Sequence, residues 1–226
     1  TIQHSHGSTA IAGIVYISDP SWPAEYQNNI FIGNVMTSRI NRDRLEWRGS
    51  TSVGHEMPDF LSTDDPWFRP VDLQFGPDGA LYVADFYNKI IGHYEVDRKH
   101  PGRDRERGRI WRIVYTGDKA KATASANTTD VATTDWTKAT PEELIKALSH
   151  PNMVIRVKAT NQLAARGGEA VVPALSAIIA KPIGEENAKR HAMWACTASG
   201  CRLPTMAMRK PEGDRGAPCQ CKGSPC

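Results

Sequence analysis

The chain has 226 residues, 40% hydrophobic, 8% aromatic and 23% charged, with 18 Gly and 15 Pro, an ordinary globular usage that excludes collagen-like, coiled-coil and wholly disordered classes. Twenty-eight Lys and Arg against 25 Asp and Glu leave a formal charge of +3, too small by itself to argue for nucleic acid or an anionic membrane surface as a partner. No apolar run approaches the roughly 18 residues of a spanning helix.

Residue 1 is Thr, and polar His4, Ser5 and His6 follow where a secretory signal would be apolar, which suggests a fragment. His4 and His6 precede a strand and are candidates to face a ligand, the alternative being ordinary surface histidines. From residue 11 to 115 the chain reads as strands and turns. Ile11 to Ile17, Ile30 to Gly33, Val71 to Phe75, Leu81 to Phe86, Ile90 to Val96 and Arg109 to Tyr115 are short runs rich in Ile, Val, Phe, Tyr and Trp. In Gly76-Pro77-Asp78-Gly79, Pro presets one corner, Asp can bond its own backbone and Gly supplies a positive φ, so Val71 to Phe75 pairs with Leu81 to Asp85 as a hairpin. Asn29 to Asn34 followed by Arg39-Ile40 echoes Ala80 to Asp85 followed by Lys89-Ile90, an offset of about 50 residues that suits four-stranded propeller blades. This stretch would supply only two to three blades.

Asp64-Asp65 reads as a turn start before Pro66 rather than a working carboxylate pair. Arg69 and Asp72 stand at the entrance of the hairpin strand, where a guanidinium can grip a carboxylate bidentately; alternatively Arg69 fastens the loop by pairing with Asp72 or Asp65. The run Arg98 to Arg112 holds seven basic residues but no aromatic before Trp111, and reads as a salt-bridged loop leading into a strand rather than a nucleic-acid stripe.

Residues 116 to 139 are mostly Ala, Thr, Asp, Lys and Ser, the composition of a linker. Thr140-Pro141-Glu142-Glu143 then sets an N-cap, Pro at the first helical position and Glu three residues after the cap, ahead of Leu144, Ile145 and Leu148. A second helix is expected from about Asn152 to Arg166 with Val154, Val157 and Leu163 inward, stopped by Gly167-Gly168. A third is expected over Glu169 to Ala180 with Val172, Leu175, Ile178 and Ile179 on one side, and a fourth over Asn187 to Trp194. Antiparallel helices of this size resemble HEAT-type repeats. From about Ala195 the periodicity stops, and residues 195 to 226 read as an unstructured, frameshifted tail. Its cysteines, Cys196, Cys201, Cys219, Cys221 and Cys226, lack the paired spacing of a zinc site, and no Cys-x-x-Cys-His is present for a c-type haem.

The block Phe68 to Asp85, with Asn88 to His93 and His100-Pro101-Gly102-Arg103-Asp104-Arg105-Glu106-Arg107-Gly108-Arg109-Ile110-Trp111-Arg112, resembles the propellers of soluble glucose and sorbosone dehydrogenases. With HEAT-like helices behind it, the stretch from about 4 to 194 resembles the membrane-bound dehydrogenase type of planctomycete-like bacteria, also called PVC-type haem-binding proteins. That resemblance implies a β-propeller fragment (two to three blades of a six-bladed propeller) over 1 to 115, a linker over 116 to 139, HEAT-like helices over 140 to 194, export to the periplasm, and a c-type haem domain beyond this chain. It also implies pyrroloquinoline quinone and calcium at the propeller's top, with Arg69 matching a quinone-contacting arginine and Val71 standing in place of a second one. The expected function is thus a sugar- or alcohol-oxidising dehydrogenase that passes electrons to haem, with His4, His6, Arg69 and Asp72 as candidate cofactor or substrate contacts. The alternative is a propeller and solenoid scaffold that binds carbohydrate or protein without chemistry.

Overall fold

In the computed structural model, which describes residues 6–7, 10–17, 19–92, 95–117, 133–181 and 185–198, the apolar runs of the first half become two antiparallel sheets and the capped segments of the second half become helices. The first sheet is an up-and-down meander of β1 (Ile11–Tyr16), β2 (Asn29–Asn34), β3 (Arg39–Arg48) and β4 (Thr51–Ser62); the second runs β5 (Pro70–Phe75), β6 (Leu81–Asp85) and β7 (Arg109–Ile113). The two stretches of the internal echo fall on β2 and β6, the second strand of each sheet. The expected hairpin forms in register, with Leu73 opposite Val83 and Phe75 opposite Leu81, and the turn closes through Gly79 N to Gly76 O at 3.1 Å with Gly79 at φ 75°. Asp78 accepts from Ala80 N within that turn, as its side chain was expected to do.

The sheets bury one face each against a shared aromatic wedge. Trp22 packs edge-on to Phe31 and Phe75, and Phe31 stacks on Phe60 with ring centroids 4.2 Å apart. Around them Ile17, Ile40, Leu73, Leu81 and Val83 are fully buried, each contributing about 1.5–3 kcal/mol over an exposed side chain. Trp22 also donates from Nε1 to Gly79 O at 2.8 Å, so the indole finds its polar partner in the tight turn of the second sheet.

Two expectations change here. The hairpin of β3 and β4 was not expected beyond Arg39-Ile40, because Asn41, Arg42, Asp43, Arg44 and Glu46 mask the alternation; cross-strand pairs such as Arg39 to Asp59 and His55 to Glu46, both 2.8 Å, take the place of apolar contacts. Conversely, Ile90 to Val96 forms no strand over its described residues. The Ile90 and Val96 carbonyls, with that of Gly92, accept from the Arg103 guanidinium instead of from a neighbouring strand.

The helices are α1 (Pro141–Ala147), α2 (Met153–Arg166), α3 (Val172–Ala180) and α4 (Glu186–Ala198). Thr140 caps α1 in a full capping box with Glu143, as the sequence predicts. Leu144, Leu148, Ile155, Ala159, Leu163 and Leu175 form their core with Ala188, Ala192, Ala195 and Cys196 of α4. Val157, expected inward, is 38% exposed, because α2 turns Ile155 and Ala159 to the core instead. The helix α4 extends past the expected break at Ala195, whose buried side chain and that of Cys196 complete its inner face. Part of the expected linker is likewise packed: Trp136 and Ala139 lie on the helical core, and Arg166 donates to the carbonyls of both.

Asn152 joins helices to sheets. Its Oδ1 accepts from Val154 N and Ile155 N as the cap of α2, while its Nδ2 donates to Asp19 Oδ2 at 2.7 Å and Gly76 O at 3.1 Å. Asn152→Ala removes cap and bridge together, and is expected to cost about 2 kcal/mol, read as a lower urea midpoint. Asn152→Ser, which restores the cap alone, should recover about half of that.

Thr160 Oγ1 and His191 Nδ1 lie 2.9 Å apart between α2 and α4, with the Thr160 hydroxyl also donating to Arg156 O. Burial, then the cations Arg156 and Arg190, hold His191 below its ordinary value of 6.5. The folded state therefore binds fewer protons than the unfolded one, and the stability this provides is complete above 6.5 and lost as pH falls through the lower folded value. The melting temperature should drop on acidification below about pH 6, with a shallower slope in His191→Gln. His150, depressed chiefly by burial, keeps some slope in that variant. Identical slopes in both proteins would sink the assignment.

Candidate functional site

Antiparallel pairing gathers the loops at two ends. Because β1 starts beside the end of β2, and β5 beside the end of β6, residues 6–7 and 10, 35–38, 63–69, 86–92 and 95–108 share one end. The opposite end holds the tight turn at Gly76 to Gly79, Asp19 and Asn152. His6 and Arg69 therefore sit at the end away from Asn152.

Arg69 lies at the centre of this loop end and is 8% exposed. Its Nε donates to Asn88 O at 3.0 Å, its Nη1 to Val35 O at 2.7 Å and Ser38 Oγ at 3.1 Å, and its Nη2 to Lys89 O at 3.3 Å. It thus ties the β2–β3 turn of the first sheet to the loop after β6 of the second. Burial draws the guanidinium below its ordinary value, and the carboxylates of Asp85 and Asp65 oppose that. The pairing with Asp72 or Asp65 weighed from sequence is replaced by backbone carbonyls. Asp72 is exposed and accepts from its own neighbour, Leu73 N at 2.9 Å, and from Gln74 Nε2.

His6 is not at an open surface. Its side chain is 2% exposed, with Nε2 2.8 Å from Asp43 Oδ1 and Nδ1 3.4 Å from Glu56 Oε1, which fastens His6 to β3 and β4. His4 lies outside the described residues, as do Cys201, Cys219, Cys221 and Cys226. The structure brings none of the three described candidates, His6, Arg69 and Asp72, into a hydrogen bond or ion pair with another of them.

What this end does assemble is an aromatic stack built on Asp85. That buried carboxylate accepts from Arg69 N at 2.8 Å and Tyr87 N at 2.9 Å through Oδ1, and from Trp111 Nε1 at 3.0 Å through Oδ2. It holds Tyr87 at φ 47°, a left-handed conformation that costs a bulky residue about 1–2 kcal/mol. The Tyr87 ring then lies between Trp67, 5.5 Å away, and the Arg109 guanidinium, 3.4 Å from the ring centroid. One side of the stack opens on a groove of about 300 Å³ floored by Phe68 and Val83; the other opens on a cleft of about 600 Å³ lined by Trp67, Lys89 and residues 100–107.

Sequence reasoning missed Trp67, Tyr87 and Lys89. Trp67 and Tyr87 flank the two halves of the hairpin, and aromatic residues just outside paired strands are the only signal that could have found them. The basic run leads into β7 as expected but is salt-bridged only in part: Arg107 Nε meets Asp104 Oδ2 at 2.7 Å, and the N–H groups of Glu106 and Arg107, with that cation, hold Asp104 below the usual carboxylate range, while Arg103 and Arg105 donate to backbone carbonyls. Among the described residues no group of three or more His, Cys, Asp and Glu is placed to hold a metal ion, and no helix is long and apolar enough to cross a membrane.

Neither the curated proteins nor the solved structures include a match to this chain. Its β half is matched by a family model: over residues 1–117, both sheets included, the chain belongs to DUF7133, a domain of unknown function.

Proposed function

We propose that the two sheets are adjacent blades of a β-propeller, and that the complete protein is an exported dehydrogenase-type propeller with a HEAT-like helical segment, oxidising a sugar or alcohol and passing electrons to a c-type haem domain. The observation that carries the reading is the way the sheets meet. Each is an up-and-down meander, and their first strands adjoin so closely that a Cβ on Gly13 of β1 would lie 2.6 Å from Asp72 Cα of β5. Innermost strands of neighbouring blades meet in this way around a propeller axis.

The quinone contact implied for Arg69 does not fit this side chain. Four of its N–H groups are spent on three carbonyls and a hydroxyl, so it has no bidentate face to offer a carboxylate. The same observation favours a second reading, in which propeller and helices bind carbohydrate or protein without redox chemistry. Dye reduction by the full-length protein with sugars and alcohols, with and without added quinone and calcium, separates the two. Turnover supports the dehydrogenase, and saturable sugar binding without turnover supports the scaffold.

A further inference from the structure

The cleft of about 600 Å³ beside the aromatic stack falls in the size range of small-molecule sites, about 300–1,000 Å³. Its acids and bases are not balanced. Asp104 is occupied by Arg107 and by two backbone N–H groups. Among the described residues the Lys89 ammonium has no partner, and the 72% exposed Arg107 uses Nε on Asp104 and leaves its terminal nitrogens without a partner there. Arg105 gives one N–H to the Arg98 carbonyl and has the rest to spare. His100 Nδ1 accepts from Gly102 N at 3.0 Å, so the neutral ring carries its proton on Nε2, a further donor. Against these donors Glu106 is the one acidic side chain of the lining with no partner among the described residues. One wall is Trp67, a flat apolar ring held in place by Tyr87.

We propose that this cleft binds an acidic carbohydrate, a hexuronate unit of a uronate-rich glycan. The ring of such a sugar presents an apolar face of C–H bonds that matches Trp67, and its carboxylate matches Lys89, Arg105 and Arg107. A bare anion would leave the indole unused, and a neutral sugar would leave the cations unpaired. The loop is already closed by Arg103, which donates to the Ile90, Gly92, Val96 and Asp97 carbonyls, so the donors stand on a preformed frame. The inference narrows the carbohydrate of the reading above and rests on it only for that class; binding is measured without any redox step, so uronate binding and dye reduction fail separately.

The test is binding of the full chain to polygalacturonate by titration calorimetry, beside dextran, inorganic phosphate and an oligo-thymidine strand. Polygalacturonate should bind, dextran should not, and Lys89→Glu with Arg105→Glu should weaken binding at least tenfold without moving the melting temperature. Lys146→Glu on α1, which changes net charge outside the cleft, should leave it intact. Equal binding of dextran, equal competition by phosphate, tighter binding of the oligonucleotide, or an equal loss in Lys146→Glu would each overturn the proposal.

Discussion

Arg69→Ala is expected to destabilise the two sheets by about 2–4 kcal/mol, as a lower urea midpoint followed by tryptophan fluorescence. A hydrogen bond to a charged group is worth about 1.5–3 kcal/mol, and this guanidinium makes four, at 2.7 to 3.3 Å. The total stays below the sum because Val35, Ser38, Asn88 and Lys89 sit in loops, where water can replace part of what is lost. Arg69→Lys should recover little. A lysine ammonium is a point donor and cannot span the β2–β3 turn and the loop after β6 as the planar fork does. The reading drawn from sequence, in which Arg69 grips an anionic ligand, expects the opposite pair of results: weaker ligand binding by about 1.5–3 kcal/mol and an unchanged midpoint. Measuring both quantities on one variant decides, and an unmoved midpoint would remove the staple.

The contrast between Arg69 and its neighbours shows where sequence reading stops. The hairpin around Gly76 to Gly79 and the start of α1 were legible because their signals are local: a Pro-Asp-Gly turn and a Thr-Pro-Glu-Glu cap act within four residues and form as expected. The strand β3 was not legible, since Asn41, Arg42 and Asp43 are buried polar residues whose partners, Asp59 and His6 among them, lie far along the chain. The position of Arg69 at a strand entrance was legible; its occupation was not, because carbonyls leave no trace in a sequence. For the same reason Trp67 and Tyr87 became a site element only once Asp85 was seen to turn the backbone at Tyr87. Local chemistry encodes the elements, and the loop end depends on contacts between them.

Gly13 carries the second large effect, and it tests the contact on which the propeller reading stands. The residue lies in a register shift of β1 between Ala12 and Ile14, at φ 60°. An added Cβ would meet Asp72 Cα at 2.6 Å, Leu73 N at 2.9 Å and Asp72 C at 3.0 Å, all backbone atoms of β5 that no rotamer change can move. Gly13→Ala should therefore cost about 3–4 kcal/mol, of which about 1 is the left-handed backbone and the rest overpacking between the strands. Gly49 supplies the control. It has φ 63° in the tip between β3 and β4, with nothing within 4 Å of its Cβ position. Gly49→Ala thus incurs the backbone cost alone, and the difference between the two variants isolates the contact between sheets. A difference of about 2 kcal/mol is the expected result, whereas equal costs would mean that β1 and β5 do not touch through their backbones and would take the adjacent-blade arrangement with them.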